Sequence, residues 1–174
     1  MDFYEVIEKR RSIRSYTDEM VPFDVLKRIV NAARLAPTWA NNQGCRYTIV
    51  QDEEVVNKLQ NAIGQKWCKS AVQFVVVSIK PRRSGTNPSG LQYFPVDAGI
   101  CMEHIILAAT NEGLGTCWIG HFNEDAVKDA INMPKRSRVV AITPIGYTKK
   151  TPKREQERKK LEEILYLDKY GDKI

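Results

Sequence analysis

Residues 95–113, PVDAGICMEHIILAATNEG, constrain this chain more than any other stretch. With proline only at the first position, the run predicts one long helix. Val96, Ala98, Ile100, Cys101, Met102, Ile105, Ile106, Leu107 and Ala108 spread round its circumference and leave almost no polar face. A helix of that kind has to be enclosed by other elements. In a chain of 174 residues the places for it are the middle of the domain or an interface with a second subunit.

The rest of the chain supplies elements to enclose it. VQFVVVSI (72–79) is β-branched and nearly continuous, the pattern of a central strand buried on both faces. RYTIV (46–50) and GTCWI (115–119) predict shorter strands, and RVVAITPIG (138–146) a further strand broken by Pro144. Helical spacing marks residues 2–10 through Phe3, Val6 and Ile7. It marks residues 23–36 through Leu26, Ile29, Val30, Ala33 and Leu35, and residues 52–63 through Val55, Val56, Leu59 and Ile63. A short helix opens on Asn123, and KPRRSGTNPSG (80–90) reads as a mobile loop. No repeat is present, one domain accounts for the length, and helices alternating with strands give an α/β or α+β class.

The net charge of +6 is local. KKTPKREQERKK (149–160) holds seven bases and two acids and no apolar residue, so it carries most of the excess and the remainder is nearly neutral. That distribution argues against a nucleic-acid partner. The arm leads into LEEILYLDKYG, whose Leu161, Ile164, Leu165 and Leu167 need somewhere to dock, with a partner subunit as the expected place. No apolar run is long enough for a membrane span, and acids precede the first apolar run, the wrong order for a secretory signal. Cys45, Cys68, Cys101 and Cys117 are widely spaced, and two histidines complete no zinc or iron–sulfur set. Free thiols and a cytoplasmic location are the expectation.

Familiar catalytic patterns are missing. GLGTCWIG (113–120) misplaces its third glycine for a dinucleotide fingerprint and precedes a strand rather than a helix. His104 lies on the apolar helix, where a structural role is favoured over that of a base, and His121 has no readable nucleophile beside it. Three polar clusters remain. Arg10, Arg11, Ser12 and Arg14 suit either a helix C-terminus, which favours cations, or a phosphomonoester, which uses bidentate guanidinium donors. APTWANNQGCRY (36–47) is dense in amides around Trp39, more than a plain turn needs. GTCWIG (115–120) has glycines that let backbone N–H groups approach a ligand.

RRSIRSYTDEMVP, APTWANNQGCRY, EGLGTCWIG and IGYTKKTPKREQERKKLEEI, in this order and over essentially the whole chain, resemble the FMN-dependent nitroreductase family. The resemblance implies an α+β fold: a three-layer sandwich with a mostly antiparallel central sheet flanked by helices, forming an intertwined homodimer. It implies one domain, 1–174, with residues 149–174 as a C-terminal arm packing on the partner subunit. Two FMN molecules would lie in the interface, touched by both subunits. Arg10, Arg11, Ser12 and Arg14 would hold the phosphate and reach the ribityl chain. Pro37, Thr38, Trp39 and Asn41, with Gln43 behind, would meet the ring from the other subunit. Backbone groups of Trp118, Ile119 and Gly120 would approach the flavin near N5, and Arg158 would be a second phosphate ligand.

The implied activity is that of an NAD(P)H oxidoreductase, a ping-pong two-electron reduction of nitroaromatics, quinones or related conjugated acceptors. FMN would carry the chemistry, NADH or NADPH the electrons, and no catalytic side chain would be needed. A flavin-storage protein with little turnover is the alternative, and a specialised reaction such as dehalogenation a further one. This sequence also departs from the family pattern. Gly44 and Cys45 stand where a Pro and a Trp are usual, and Trp39 is bulkier than the usual small residue. In the shifted basic tail Arg154 and Lys160 compete with Arg158. Little room remains between Ile79 and Tyr93 for a lid, which implies an open pocket, and Arg82 and Arg83 in that loop read as solvated or as ligands of nucleotide phosphates.

Overall fold

Every residue of the strand Phe74–Ile79 is buried, as its β-branched run requires. The computed structural model describes residues 1–152 and 157–173. Its sheet has four strands: β1 (Cys45–Val50), β2 (Phe74–Ile79), β3 (Gly115–Thr116) and β4 (Arg138–Gly146), in the order β1-β2-β4-β3. All three pairings are antiparallel. Five helices flank it: α1 (Phe3–Lys9), α2 (Phe23–Arg34), α3 (Glu53–Ile63), α4 (Phe94–Asn111) and α5 (Glu124–Ala130).

The two-residue period of β2 divides the core. Val75, Val77 and Ile79 face α2 and α4, packing with Leu26, Ile29, Ala33, Met102 and Ile105. Phe74 and Val76 face α3 and α5, packing with Val56, Leu59, Ile63 and Val127. The result is helix, sheet, helix: the three-layer α+β sandwich. Asp52 and Asn123 cap α3 and α5 through their side chains, each accepting a backbone N–H at 3.1 Å.

The long apolar helix is only partly enclosed by its own chain. Ala98, Cys101, Met102, Ile105, Ile106 and Ala109 are buried, but Val96 is 42% exposed and Ile100 and Leu107 are half-buried. Val96, Ile100, Glu103 and Leu107 follow one another at helical spacing and form an outer stripe. Phe3, Tyr4 and Ile7 of α1, and Leu161, Ile164, Leu167 and Tyr170 of the arm, are likewise exposed.

Two strand expectations are corrected together. Pro144 does not break β4; it pairs with Phe74 inside a nine-residue strand. It interrupts the neighbouring strand instead. Thr116 pairs with Ile145, and Ile119 with Ile142, so one register places Cys117 opposite Pro144. There the ladder would exchange two bonds, and proline has no N–H to give. The Cys117 N–H turns to the Thr143 hydroxyl at 3.1 Å, and that hydroxyl donates to the Pro144 carbonyl at 2.8 Å. GTCWI is therefore a two-residue strand followed by a single bridge. In the loop after β2, Pro81–Arg83 forms a single 3₁₀ turn, and Thr86 bridges to Gln92.

Candidate functional site

The arginine segment begins where α1 ends. Asp2 and Glu5 close a capping box at its N-terminus, and the chain leaves the helix extended at Arg10. Ile13 then enters the core and donates its N–H to the Thr116 carbonyl at 2.7 Å. Gly115 is needed for this approach, because a Cβ there would lie 2.9 Å from the Ile13 side chain. Tyr16 is buried below and donates its hydroxyl to the Ile13 carbonyl at 2.7 Å; burial pushes its pKa far above the ordinary phenol value. The first and third polar clusters thus lie side by side at the β3 edge of the sheet.

An extended backbone sends alternate side chains to opposite sides, and the arginines divide accordingly. Arg11 bends back to the carbonyls of Glu8 and of Arg10, the latter at 2.9 Å, and caps the end of α1. Arg10, Ser12 and Arg14 share the side of Cys117. Burial pushes the Cys117 thiol up, while Arg14, a hydrogen bond with Ser12, and Arg10 pull it down. Arg14 also lies 5.7 Å over the Trp67 ring.

Beyond Cys117 the chain peels from β4. Trp118 is 41% exposed and Gly120 is exposed, whereas Ile119 is anchored with 2% exposure and a bond to Ile142 at 2.8 Å. Among the described residues no hydrogen bond engages the Trp118 or Gly120 amide. Strand alternation directs the Trp118 N–H away from β4, toward the side on which the arginine segment runs. The segment pairs with this edge only around Thr116, so the following amides stand open.

The amide-rich loop lies at the opposite, β1 edge. Ala40, Asn41 and Gln43 have φ of 45°, 54° and 48°, left-handed values at three non-glycine residues in a row of four. Strain of this kind persists only where surrounding contacts enforce it, and it clusters at ligand sites. Here the enforcement is visible. The Gln43 N–H donates to the Thr38 hydroxyl at 3.0 Å, and Arg46 donates to the Gln43 carbonyl at 3.0 Å. The Trp39 N–H donates to the Asp97 carboxylate at 2.8 Å, whose other oxygen accepts the Ser84 hydroxyl at 2.6 Å. The Trp39 ring packs on Gly85, where a Cβ would come within 2.0 Å, and lies 4.7 Å from the Tyr93 ring. Gly44 has a similar duty, since a Cβ there would lie 2.9 Å from that of Arg83. Pro37 and Asn41 are exposed at the rim. A cavity of 320 Å³ opens behind the loop between Thr38, Gln43, Cys45, Arg46 and Cys101.

The sequence reading missed Ser84, Gly85 and Asp97, the residues that seat Trp39. Asp97 did carry a signal: it is an acid in the first turn of an otherwise apolar helix, and it is 2% exposed. His104 takes the structural role expected of it, with Nδ1 bonded to the Ala32 carbonyl at 3.1 Å. All four cysteines are free and buried. Arg158 is exposed on the arm and bonds the Glu157 carbonyl at 2.9 Å; Arg154 lies outside the described residues. Among the described residues there is no cluster that could hold a metal ion and no helix long and apolar enough to cross a membrane.

Comparison with known proteins bears on this architecture directly. The model of the Nitroreductase family matches residues 7–87 and 65–147. The chain belongs to the nitroreductase family. A nitroreductase family protein from Clostridium novyi NT has the same fold with a TM-score of 0.81 and 38% identity, covering 99% of this chain and 97% of that one. One from Clostridium difficile 630 has a TM-score of 0.87 and 31% identity, covering 97% and 99%. The FMN reductase [NAD(P)H] of Bacillus subtilis is 32% identical over 168 residues, 84% of this chain and 68% of the relative. The four-stranded antiparallel sheet between helices is the nitroreductase fold, as the sequence motifs implied.

Proposed function

We propose that this nitroreductase is an FMN-dependent NAD(P)H oxidoreductase whose flavin site is completed by a second copy of the chain. The observation that carries the reading is the pairing of Arg10, Ser12 and Arg14 with an open edge of unbonded amides at Trp118 and Gly120. Two guanidiniums and a hydroxyl suit a phosphomonoester of charge near −2. The adjacent amides suit the acceptor atoms along a flavin ring, and Gly120 leaves open space where a side chain would stand. The donor set fits FMN. The identity to the Bacillus subtilis FMN reductase supports the same cofactor and the same pyridine nucleotides.

When bound, FMN supplies the redox chemistry: two electrons accepted as hydride from NADH or NADPH, then passed to a nitroaromatic, quinone or related conjugated acceptor in a ping-pong cycle. The residues of the chain bind and orient. Arg10 and Arg14 neutralise the phosphate, and Ser12 donates to it. Arg11 is engaged with the end of α1 and supports the segment rather than the phosphate. Trp118 and Gly120 donate backbone N–H groups, with Ile119 pinned between them to hold their spacing. No side chain at this edge is needed as an acid or a base.

The strained loop of Pro37, Thr38, Trp39, Asn41 and Gln43 lies across the full width of the sheet from Arg10. Three strand intervals separate the two edges and the arginine segment lies one further out, roughly 19 Å in all at the usual spacing. A homodimer brings one chain's loop to the other chain's arginine edge, as an isologous interface does. It also covers α1, the outer stripe of α4 and the arm, with residues 149–174 packing on the partner and Arg158 reaching its phosphate. Residues 1–174 act as one domain in this assembly, and four free thiols suit the reducing cytoplasm.

The test is the visible spectrum of the purified protein before and after anaerobic NADPH, followed by a quinone. Flavin bands that bleach and return are the expected result. Flavin bands that neither NADPH nor NADH bleaches would favour the storage alternative. A colourless protein that takes up no added FMN would sink the reading.

A further inference from the structure

A cavity of 630 Å³ at the end of β2 is lined by Lys80, Pro81, Arg82, Arg83 and Arg136. Four of its five lining residues are cations. Among the described residues none of the four forms an ion pair; the pairs that do form use Arg28, Lys58, Lys128 and Arg138. Arg138 makes the contrast sharp. It holds Glu124 at 3.0 Å, while Arg136, two residues earlier, faces the cavity. Like charges gathered without counter-ions repel, so the arrangement is relieved when an anion enters. The volume is in the range of small-molecule sites.

Its position says which anion. The cavity shares a wall with the loop of Trp39: Arg83 packs on Gly44, the Ser84 hydroxyl holds Asp97 and Asp97 holds Trp39. On the proposed function, which this inference presupposes, that loop covers the flavin. For a dinucleotide with its nicotinamide there, the cationic wall beginning at Arg83 adjoins the ring site and lies within reach of its other half. We infer that Lys80, Arg82, Arg83 and Arg136 bind the phosphorylated adenylate half of the electron donor, and that they select NADPH over NADH. The charge count supports the choice. The pyrophosphate carries about two negative charges and the 2′-monoester of NADPH nearly two more, matching four cations; NADH has only the first two. Arginine adds bidentate geometry for each phosphate.

The experiment uses the flavin-loaded protein and three donors: NADPH, NADH and reduced nicotinamide mononucleotide, which has the reacting ring but no adenylate. Second-order rates of flavin reduction are compared in the wild type, in Arg82→Ala/Arg83→Ala and in Arg136→Ala, which alters the opposite wall. The wild type is expected to prefer NADPH to NADH. In either variant the ratio of the NADPH rate to the mononucleotide rate falls about tenfold or more, and added salt lowers that ratio in the wild type. A ratio that stays put in a variant that is yellow and bleached by the mononucleotide overturns the cationic site and leaves the flavin reading standing. A wild type that takes up no FMN overturns the flavin reading, and this inference with it.

Discussion

The flanks of β2 and the rim of the molecule are built from the same kinds of residue and treat them in opposite ways. Around β2 the chain completes its own packing: Val75, Val76 and Ile105 are fully buried. At the rim, Leu161 is 61% exposed, Ile164 58% and Tyr170 94%. The same contrast holds for polar groups. Gln73, buried beside β2, holds both backbone groups of Val21, receiving its N–H at 2.7 Å and donating to its carbonyl at 3.1 Å. The amides of Trp118 and Gly120, at the open edge, have no partner among the described residues. The chain completes the packing of its own sheet and leaves this edge open. What it leaves open is what a second chain and a flavin would cover.

The largest expected effect tests the self-sufficient region. Ile105→Ala empties a fully buried position on α4 and should cost about 2–5 kcal/mol of unfolding free energy, read by denaturant titration. A cost below about 1 kcal/mol would mean that α4 is not the central support described. At the rim, Arg14→Ala should leave unfolding of the apoprotein nearly unchanged while weakening FMN binding by about tenfold to a hundredfold, the worth of one hydrogen bond to a charged group. Equal loss of stability and FMN binding would erase the distinction between the two regions.

Glu124 sharpens the comparison from the paired side. Burial raises its pKa, but hydrogen bonds from Arg138, Lys128 and the Val139 N–H outweigh that and hold it at about 2. A carboxylate depressed in the folded state adds stability above its ordinary pKa and loses it as pH falls toward 2. Unfolding titrations should show a loss of about 2 kcal/mol over that acid range, absent in Glu124→Gln, which is weaker by a similar amount at neutral pH. The smallest effect belongs to Arg11→Ala. It removes the guanidinium that caps α1, costs about 0.5 kcal/mol and leaves FMN affinity within twofold. An Arg11 variant that loses FMN as Arg14→Ala does would return Arg11 to the phosphate.

The sequence made the layers legible because periodicity reports burial. The β-branched run of β2 and the spacing of Leu59 and Ile63 needed no tertiary knowledge. The three polar clusters were legible as clusters, since amides and arginines between packed elements have few structural uses. What escaped was pairing across the chain. The effect of Pro144 fell on Cys117, a strand away, because a missing N–H is felt by its neighbour. The seat of Trp39 comes from Asp97 and Gly85, more than forty residues on, and no local pattern announces it. Arg82, Arg83 and Arg136, without an ion pair among the described residues, became distinct from the paired Arg138 only once acids could be placed beside one or the other.

Whether two chains complete one flavin site is read by sedimentation. The protein is spun with the boundary followed at once by peptide absorbance and by the visible flavin band, with and without residues 149–174. Flavin from the intact chain is expected to travel only with a species of twice the chain mass, one flavin per chain. The shortened chain should sediment as a folded, colourless monomer. Flavin travelling stoichiometrically with a single chain would contradict it.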